Sequence, residues 1–379
     1  MIAYLAGWKP QKDALFRALV GAAGEGGRRL AVIGLSLGRY PEAAARAEAA
    51  LAVAKRQPRG ALGRWLKRQL LIRQYAWARG YFARHPDHVA VCWNGMTGSR
   101  RVFIEGAQDA GAARLFMELA PFPGRITLDP AGVNAAASLP REPGFYRAWA
   151  EEAPGRLGED WRGLGAGLVA RAARRRDVGQ GDAAGLAGAG SFLFVPLQVP
   201  NDSQITRFGG WVGSVEGMIA ALAEAARALP AGWHLRIKEH PSSRIPMGAA
   251  LAAARERAQG AIVIDNATDT FAQVAASRGV ITINSSVGLQ AFFHDKPVLV
   301  LGEAFFAIPG VATPVGGPDA LAAALAAPEA LGFEPALRAA FMSYLDQVYY
   351  PRVETGPDGA PRLDPGTVAR KLAQARSAC

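Results

Sequence analysis

The chain has 379 residues, half of them apolar and a fifth charged, with a formal net charge of +11. That length accommodates two domains of ordinary size, and the composition suits a folded globular protein rather than a disordered one. No run of about 18 apolar residues lacks a charge or a proline, so no membrane-spanning helix is expected, and the opening stretch MIAYLAGWKPQKD lacks the basic and long apolar regions of a secretory leader. Two cysteines, Cys92 and Cys379, exclude a disulfide framework and a CxxC metal site and favour the cytoplasm.

In chain order, the first expected strand is RRLAVIGLS, near Leu30 to Leu35. A basic helical stretch comes next. Between Lys55 and Arg84 lie nine Lys or Arg and no acid, interleaved with Trp65, Leu66, Leu70, Leu71, Ile72, Tyr75, Trp77, Tyr81 and Phe82. Such a stretch packs on a core with a solvated basic face, or lies on an anionic membrane surface. No nucleic-acid motif accompanies it, so no nucleic-acid partner is expected. The first half continues with strands HVAVCWNG from His88, AARLFMEL from Ala112 and RITLD from Arg125. His85-Pro86 precedes a strand and reads as a turn. Glu118 closes AARLFMEL and Asn134 comes after the glycine turn at Gly132. Glu118 is a candidate general acid or base, with a solvated surface glutamate as the plain alternative.

Residues 150–190 are rich in Gly, Ala and Arg with little strand character. The domain boundary is expected there, near 185, giving domains 1–185 and 186–379 with the last helix free to return to the first. The run RAARRRD from Arg171 reads as solvated. Neither GLGAGL (163–168) nor AGAGSF near Gly188 follows a strand and opens a helix, which a dinucleotide fingerprint requires.

The second half offers strands SFLFVPLQV, WHLRIKEHP, GAIVID, GVITINSS and KPVLVLG, with helical windows such as 215–229 and 321–327. Short apolar strands alternating with helices predict an α/β fold of parallel sheets covered on both faces. Ligands of such sheets bind beyond the carboxyl ends of the strands, and three ends are polar. After LQV comes Pro200, then Asn201, Asp202, Ser203 and Gln204; Asp202 reads equally as a reactive carboxylate or as a helix cap. WHLRIKEHP ends in Lys238, Glu239, His240 and Pro241, where the imidazole can donate to a phosphate, the ammonium can add charge and the proline fixes the turn. GVITINSS ends in Asn284, Ser285 and Ser286, with Gly288 allowing close backbone approach; this is the geometry of phosphate binding and equally of an N-cap.

Taken together, LQVPNDSQI (197–205), KEHP (238–241), TINSSVG (282–288), KPVLVLG (296–302) and, in the first half, ITLDPAGVNAAASLPREPGFYR (126–147) resemble the capsule polysaccharide biosynthesis and export family, in particular the single-module β-Kdo transferases that start the capsule linker. Where that family carries glycine after the glutamate, Leu119 stands here. The resemblance implies a GT-B architecture: two Rossmann-like domains facing across a cleft, an acceptor-side first domain and a nucleotide-sugar-binding second one. It implies CMP-Kdo as donor, a lipid or Kdo-lipid acceptor, no cofactor and no catalytic metal. It also implies a peripheral place on the inner face of the inner membrane, with a capsule assembly complex as a further partner. On this reading His240-Pro241, Ser285 and Ser286 hold the CMP phosphate, with help from Lys238, Asn284 and Gly288. Gln198 and Gln204 hold donor hydroxyls or the sugar carboxylate, Asp202 is the nucleophile of a retaining double displacement, and Glu118 is the base. Two rivals share many of these features: a transferase of CMP-sialic acid type, and a non-catalytic component of capsule assembly or export.

Overall fold

The computed structural model of the chain describes residues 1–7, 9–152, 155 and 157–378; Cys379 lies outside them. Two compact units emerge. One comprises Met1–Ala120, Gly124–Leu139 and everything from Asp346 onward; the other comprises Pro121–Pro123 and Pro140–Leu345.

The first unit opens with a strand that the sequence patterns did not mark, β1 (Ile2–Leu5), four residues all buried. Helix α1 (Pro10–Ala23) begins with proline in its first turn and is closed by Gly24 at φ +62°. Strand β2 (Gly27–Leu30) pairs in parallel with β1 as far as Leu5↔Leu30 and stops there. The strand expected to run to Leu35 does not form, because the chain turns instead onto a helix. Gly34 sits so close to Trp77 that an added Cβ would lie 2.3 Å from the indole nitrogen, and the Ser36 N–H donates to the Arg73 carbonyl at 3.1 Å. Helices α2 (Ala43–Ala52) and α3 (Gly60–Ala83) precede β3 (Val89–Trp93), α4 (Gly98–Asp109), β4 (Arg114–Leu119) and β5 (Ile126–Asp129). The sheet order is β2-β1-β3-β4-β5, parallel except for β5, which runs antiparallel to β4. The helix Pro365–Ser377 lays Val368, Leu372 and Ala375 into the same core as Ile2, Phe16, Val91 and Leu115.

The second unit starts with α5 (Pro143–Glu152). Its six-stranded sheet contains β6 (Ser191–Pro196), β7 (Trp233–Lys238), β8 (Ile262–Ile264), β9 (Gly279–Thr282), β10 (Val298–Val300) and β11 (Thr313–Pro314). Phe192 to Val195 are buried on both faces, which is why this strand reads as an unbroken apolar run. All neighbours are parallel, in the order β11-β10-β9-β6-β7-β8. The chain therefore builds outward from β6 through β7 to β8, then returns to the other side of β6 and continues through β9 to β11. That is the doubly wound order with its reversal between β6 and β9.

The change of unit falls at Leu139–Pro140, not near 185. The reason is aromatic. Tyr146 of α5 packs edge-on to Phe341 at 5.1 Å, and Phe145 and Trp149 meet Tyr344 at 5.2 and 5.4 Å, all within the second unit. The hairpin β12 (Val353–Thr355) and β13 (Pro361–Leu363) belongs to the first unit. Among the described residues no helix is long and apolar enough to cross a membrane.

Candidate active site

An open pocket of about 580 Å³, mouth included, lies where the second unit's sheet reverses direction. Pro196 and Leu197 after β6, Lys238 to Pro241 at the end of β7, and Ser285 to Val287 after β9 all line it, joined by Arg171, Thr270, Phe271 and Gln290. The structure thus brings the His-Pro and Ser-Ser pairs together at one sheet edge.

His240 is the best-defined donor there. The Ser242 N–H donates to its Nδ1 at 3.0 Å, so a neutral ring carries its proton on Nε2. Burial lowers the imidazole to about 4; Arg171 and Arg174 push the same way, and Asp202 opposes them. At neutral pH the ring is therefore an uncharged hydrogen-bond donor with a fixed tautomer. Ser285 is the N-cap of the short helix Ser286–Gln290, its Oγ accepting from the Val287 N–H at 3.2 Å. Capping leaves the hydroxyl hydrogen available to donate.

Asp202 is the N-cap of the helix Ser203–Phe208. Its Oδ1 accepts from the Gln204 N–H at 2.9 Å and from the Ser203 hydroxyl at 3.4 Å. Among the described residues Oδ2 makes no hydrogen bond. The carboxylate is half-buried and acts electrostatically on His240.

Several expected ligand contacts turn out to be internal struts. The Lys238 ammonium, expected to add charge at a phosphate, is buried and donates to three backbone carbonyls: Gly179 at 2.7 Å, Asn266 at 3.0 Å and Thr268 at 2.6 Å. Its three N–H bonds are thereby used. Gln198, expected on donor hydroxyls, gives Nε2 to Asn284 Oδ1 (2.8 Å) and accepts the Asn284 N–H on Oε1 (3.1 Å). Asn284 in turn donates Nδ2 to the carbonyls of Gln204 and Phe208, both at 2.9 Å. These amides lock the Asp202-capped helix to the end of β9. Gln204, the second residue of that helix, is buried. Gly288 serves packing: a Cβ would lie 2.8 Å from Thr282 Cγ2.

The run after Arg171 is not simply solvated. Arg171 lines the pocket, and the Arg174 N–H donates to the Pro241 carbonyl at 2.8 Å. Arg175 pairs with the buried Glu239 at 2.8 Å. Burial alone would raise the Glu239 carboxyl, but bonds from Arg175, the Met247 N–H and Asn266 hold it below its ordinary value. Sequence patterns miss these roles because Arg175 and Glu239 lie far apart in the chain and no local motif links them.

The first unit carries its own polar cluster where β1, β3 and β4 end. Glu118 Oε2 accepts from Asn94 Nδ2 at 2.6 Å. Asn94 sits at φ +66°, the left-handed region that asparagine enters more readily than most non-glycine residues. Lys12 Nζ lies 4.1 Å from the Trp93 ring centre. Burial brings this lysine down to about 8, Arg100 adds to that, and Glu118 opposes it. Lys12 and Asn94 are not among the residues the motifs single out; the Asn-Gly pair directly after the apolar run VAVCW was the available signal.

Four of the five histidines, His88, His234, His240 and His294, are held below 6.5 chiefly by burial. Unfolded, each binds a proton near its ordinary value, so below that pH the unfolded chain holds more protons than the folded one. The stability these groups contribute is present above about 6.5 and is lost as the pH falls through their depressed folded-state values, about 4 for His240. Calorimetry is expected to show a thermal midpoint that drops steadily from about pH 7 to about pH 5; a level midpoint would contradict the burial of these rings.

Known proteins share parts of this sequence and this fold. A family model described as capsule polysaccharide biosynthesis protein matches residues 153–344. Protein FixF of Sinorhizobium fredii is 30% identical over 251 residues, covering 64% of this chain and 56% of FixF. The capsule polysaccharide modification protein LipB of Neisseria meningitidis is 30% identical over 127 residues, covering 32% of this chain and 30% of LipB. The chain thus spans about half the length of the first of these relatives and less of the second. Among solved structures, the β-Kdo 2,7 transferase of Thermosulfurimonas dismutans KpsC superposes with a TM-score of 0.54 at 13% identity, over 99% of this chain and 98% of that one. At that identity the likeness is one of fold: an α/β chain with two Rossmann-like units, of the GT-B type.

Proposed function

This chain belongs to the capsule polysaccharide biosynthesis family, and on that premise we propose that it is a retaining β-Kdo transferase that takes Kdo from CMP-Kdo and passes it to a lipid or Kdo-lipid acceptor. The observation that carries this reading is the convergence of His240-Pro241 with Ser285-Ser286 in one pocket at the reversal point of a doubly wound sheet.

The chemistry is set by the donor. Kdo is a 2-keto sugar acid, so loss of CMP from C2 leaves an oxocarbenium-like centre next to a carboxylate. The phosphate departs with the bonding electrons, and hydrogen bonds from His240 Nε2 and the serine hydroxyls stabilise the charge it gains. Arg171, on the lining of the same pocket, adds a positive charge. Asp202 Oδ2, the oxygen not used in capping, attacks C2 and forms a glycosyl ester. The acceptor hydroxyl then attacks the same carbon, gives its proton to a general base and frees the Asp202 carboxylate. No metal or cofactor enters these steps.

The test is a transfer assay with purified protein, CMP-Kdo generated in situ, and lyso-phosphatidylglycerol with or without one Kdo attached, read by mass spectrometry. A Kdo-sized mass increase is expected. Transfer from CMP-sialic acid instead would change the donor and keep the site. Failure to bind CMP at all would remove the transferase reading and leave a non-catalytic assembly component.

A further inference from the structure

Helix α3 has two opposite apolar faces. Leu71, Tyr75, Ala78 and Phe82 are buried, with Leu71 and Tyr75 packed against α2 and α4. On the other side Leu62, Trp65, Leu66 and Leu70 keep the i, i+3, i+4, i+8 pattern of a single helical stripe, yet each is 41 to 69% exposed. The loop that replaces the expected strand enlarges this stripe. Its Ser36 N–H bond to the Arg73 carbonyl and the contact of Gly34 with Trp77 hold it on α3, with Val32, Leu35 and Leu37 exposed.

Positive charge accompanies the stripe. Lys55, Arg56, Arg59 and Arg73 are exposed and, among the described residues, have no ion-pair partner. No acid occurs from 55 to 84, and the first turn of α3 holds none to offset the positive end of the helix. Glu48 pairs with Arg64 and Arg68.

We propose that this face of the first unit docks on an anionic bilayer, with α3 lying along the interface, its Leu62–Leu70 stripe and the 32–37 loop entering the headgroup boundary, and the surrounding Lys and Arg contacting lipid phosphates. Apolar side chains beside unpaired cations fit that surface, which offers both partners at once. A second copy of the chain would present the same cations and repel. Docking of this kind does not depend on the transferase reading, because vesicles alone test it.

The experiment is co-sedimentation of the full chain with phosphatidylcholine vesicles, with and without phosphatidylglycerol. Binding is expected only with phosphatidylglycerol at about 50 mM salt, weakening at least about tenfold at about 500 mM as the charges are screened. The triple variant Leu62→Ser, Trp65→Ser, Leu66→Ser and the triple variant Lys55→Glu, Arg56→Glu, Arg59→Glu are each expected to lose at least about tenfold in partitioning. All these residues are exposed, so melting curves should match the unaltered chain. Absence of binding to phosphatidylglycerol vesicles overturns the proposal, and so does equal binding by both variants. Sedimentation of the free protein as a dimer that the serine variant dissolves, with no vesicle binding, would assign the face to self-association instead.

Discussion

Asp202→Asn is expected to lower glycosyl transfer by at least about a thousandfold, roughly 4 kcal/mol in the barrier, while CMP affinity stays within about twofold. The substitution separates two roles that meet in one side chain. Asparagine is as good an N-cap as aspartate, so its Oδ1 keeps the bond from the Gln204 N–H and the helix Ser203–Phe208 keeps its start. What disappears is the charge and nucleophilicity of Oδ2. If the variant transfers sugar at near the unaltered rate, Asp202 is a cap and nothing more. A positive signature is also accessible. With the acceptor withheld so that the second displacement cannot follow, mass spectrometry after mixing with CMP-Kdo is expected to reveal one added Kdo on the intact protein and, after digestion, on the peptide that holds Asp202.

Replacing His240 tests the leaving-group side. Asparagine is the informative substitute, because its Oδ1 can accept the Ser242 N–H as Nδ1 does and so preserve the turn. It removes only the Nε2 donor. CMP affinity is expected to fall about ten- to a hundredfold, the ~1.5 to 3 kcal/mol carried by a hydrogen bond to a charged group, with the melting temperature little changed. His240→Ala should show the same loss of affinity plus a destabilised turn. Calorimetric binding as tight as in the unaltered chain would remove His240 from the phosphate site. Because burial holds this ring at about 4, it stays neutral near neutral pH. Affinity for the CMP-sugar, whose phosphodiester has no proton to lose in this range, is therefore expected to be level between about pH 6 and about pH 8, where an ordinary histidine would titrate.

The strands of the second unit were legible because each is an apolar run followed by a change of chemistry: Pro200 after LQV, the His-Pro after WHLRIK, the paired serines after VITIN; β6 itself stops earlier, at Pro196, and β9 at Thr282. The pocket could be anticipated for the same reason, since parallel strands deliver their carboxyl ends to one edge. Which polar side chain at such an end faces a ligand was not legible. Lys238 and His240 are two residues apart on one strand end and both line the pocket, yet the ammonium of the first is spent on three carbonyls while Nε2 of the second is left to donate. That outcome depends on segment 179–181 and on Asn266, which approach only in the folded chain. The apolar alternation after Leu30 misleads in a similar way. Strand propensity there is real, but β2 ends its ladder at Leu30, and Trp77 and the Arg73 carbonyl capture Gly34 and Ser36. Composition places the unit boundary too late because it marks residues 150–190 as loose, whereas contacts between Tyr146 and Phe341 and between Trp149 and Tyr344 tie α5 to the second unit.

The helix Pro365–Ser377 gives the molecule an unusual order of assembly. The second unit is, apart from Pro121–Pro123, one uninterrupted stretch, and every strand of its sheet has left the ribosome before that helix is made. The first sheet, although synthesised earliest, completes its core only with Val368, Leu372 and Ala375. Until that helix arrives, Leu15, Phe16 and Leu19 of α1 are the helical cover of this core, and the part over β3, β4 and β5 that Val368, Leu372 and Ala375 fill is completed from the far end of the sequence.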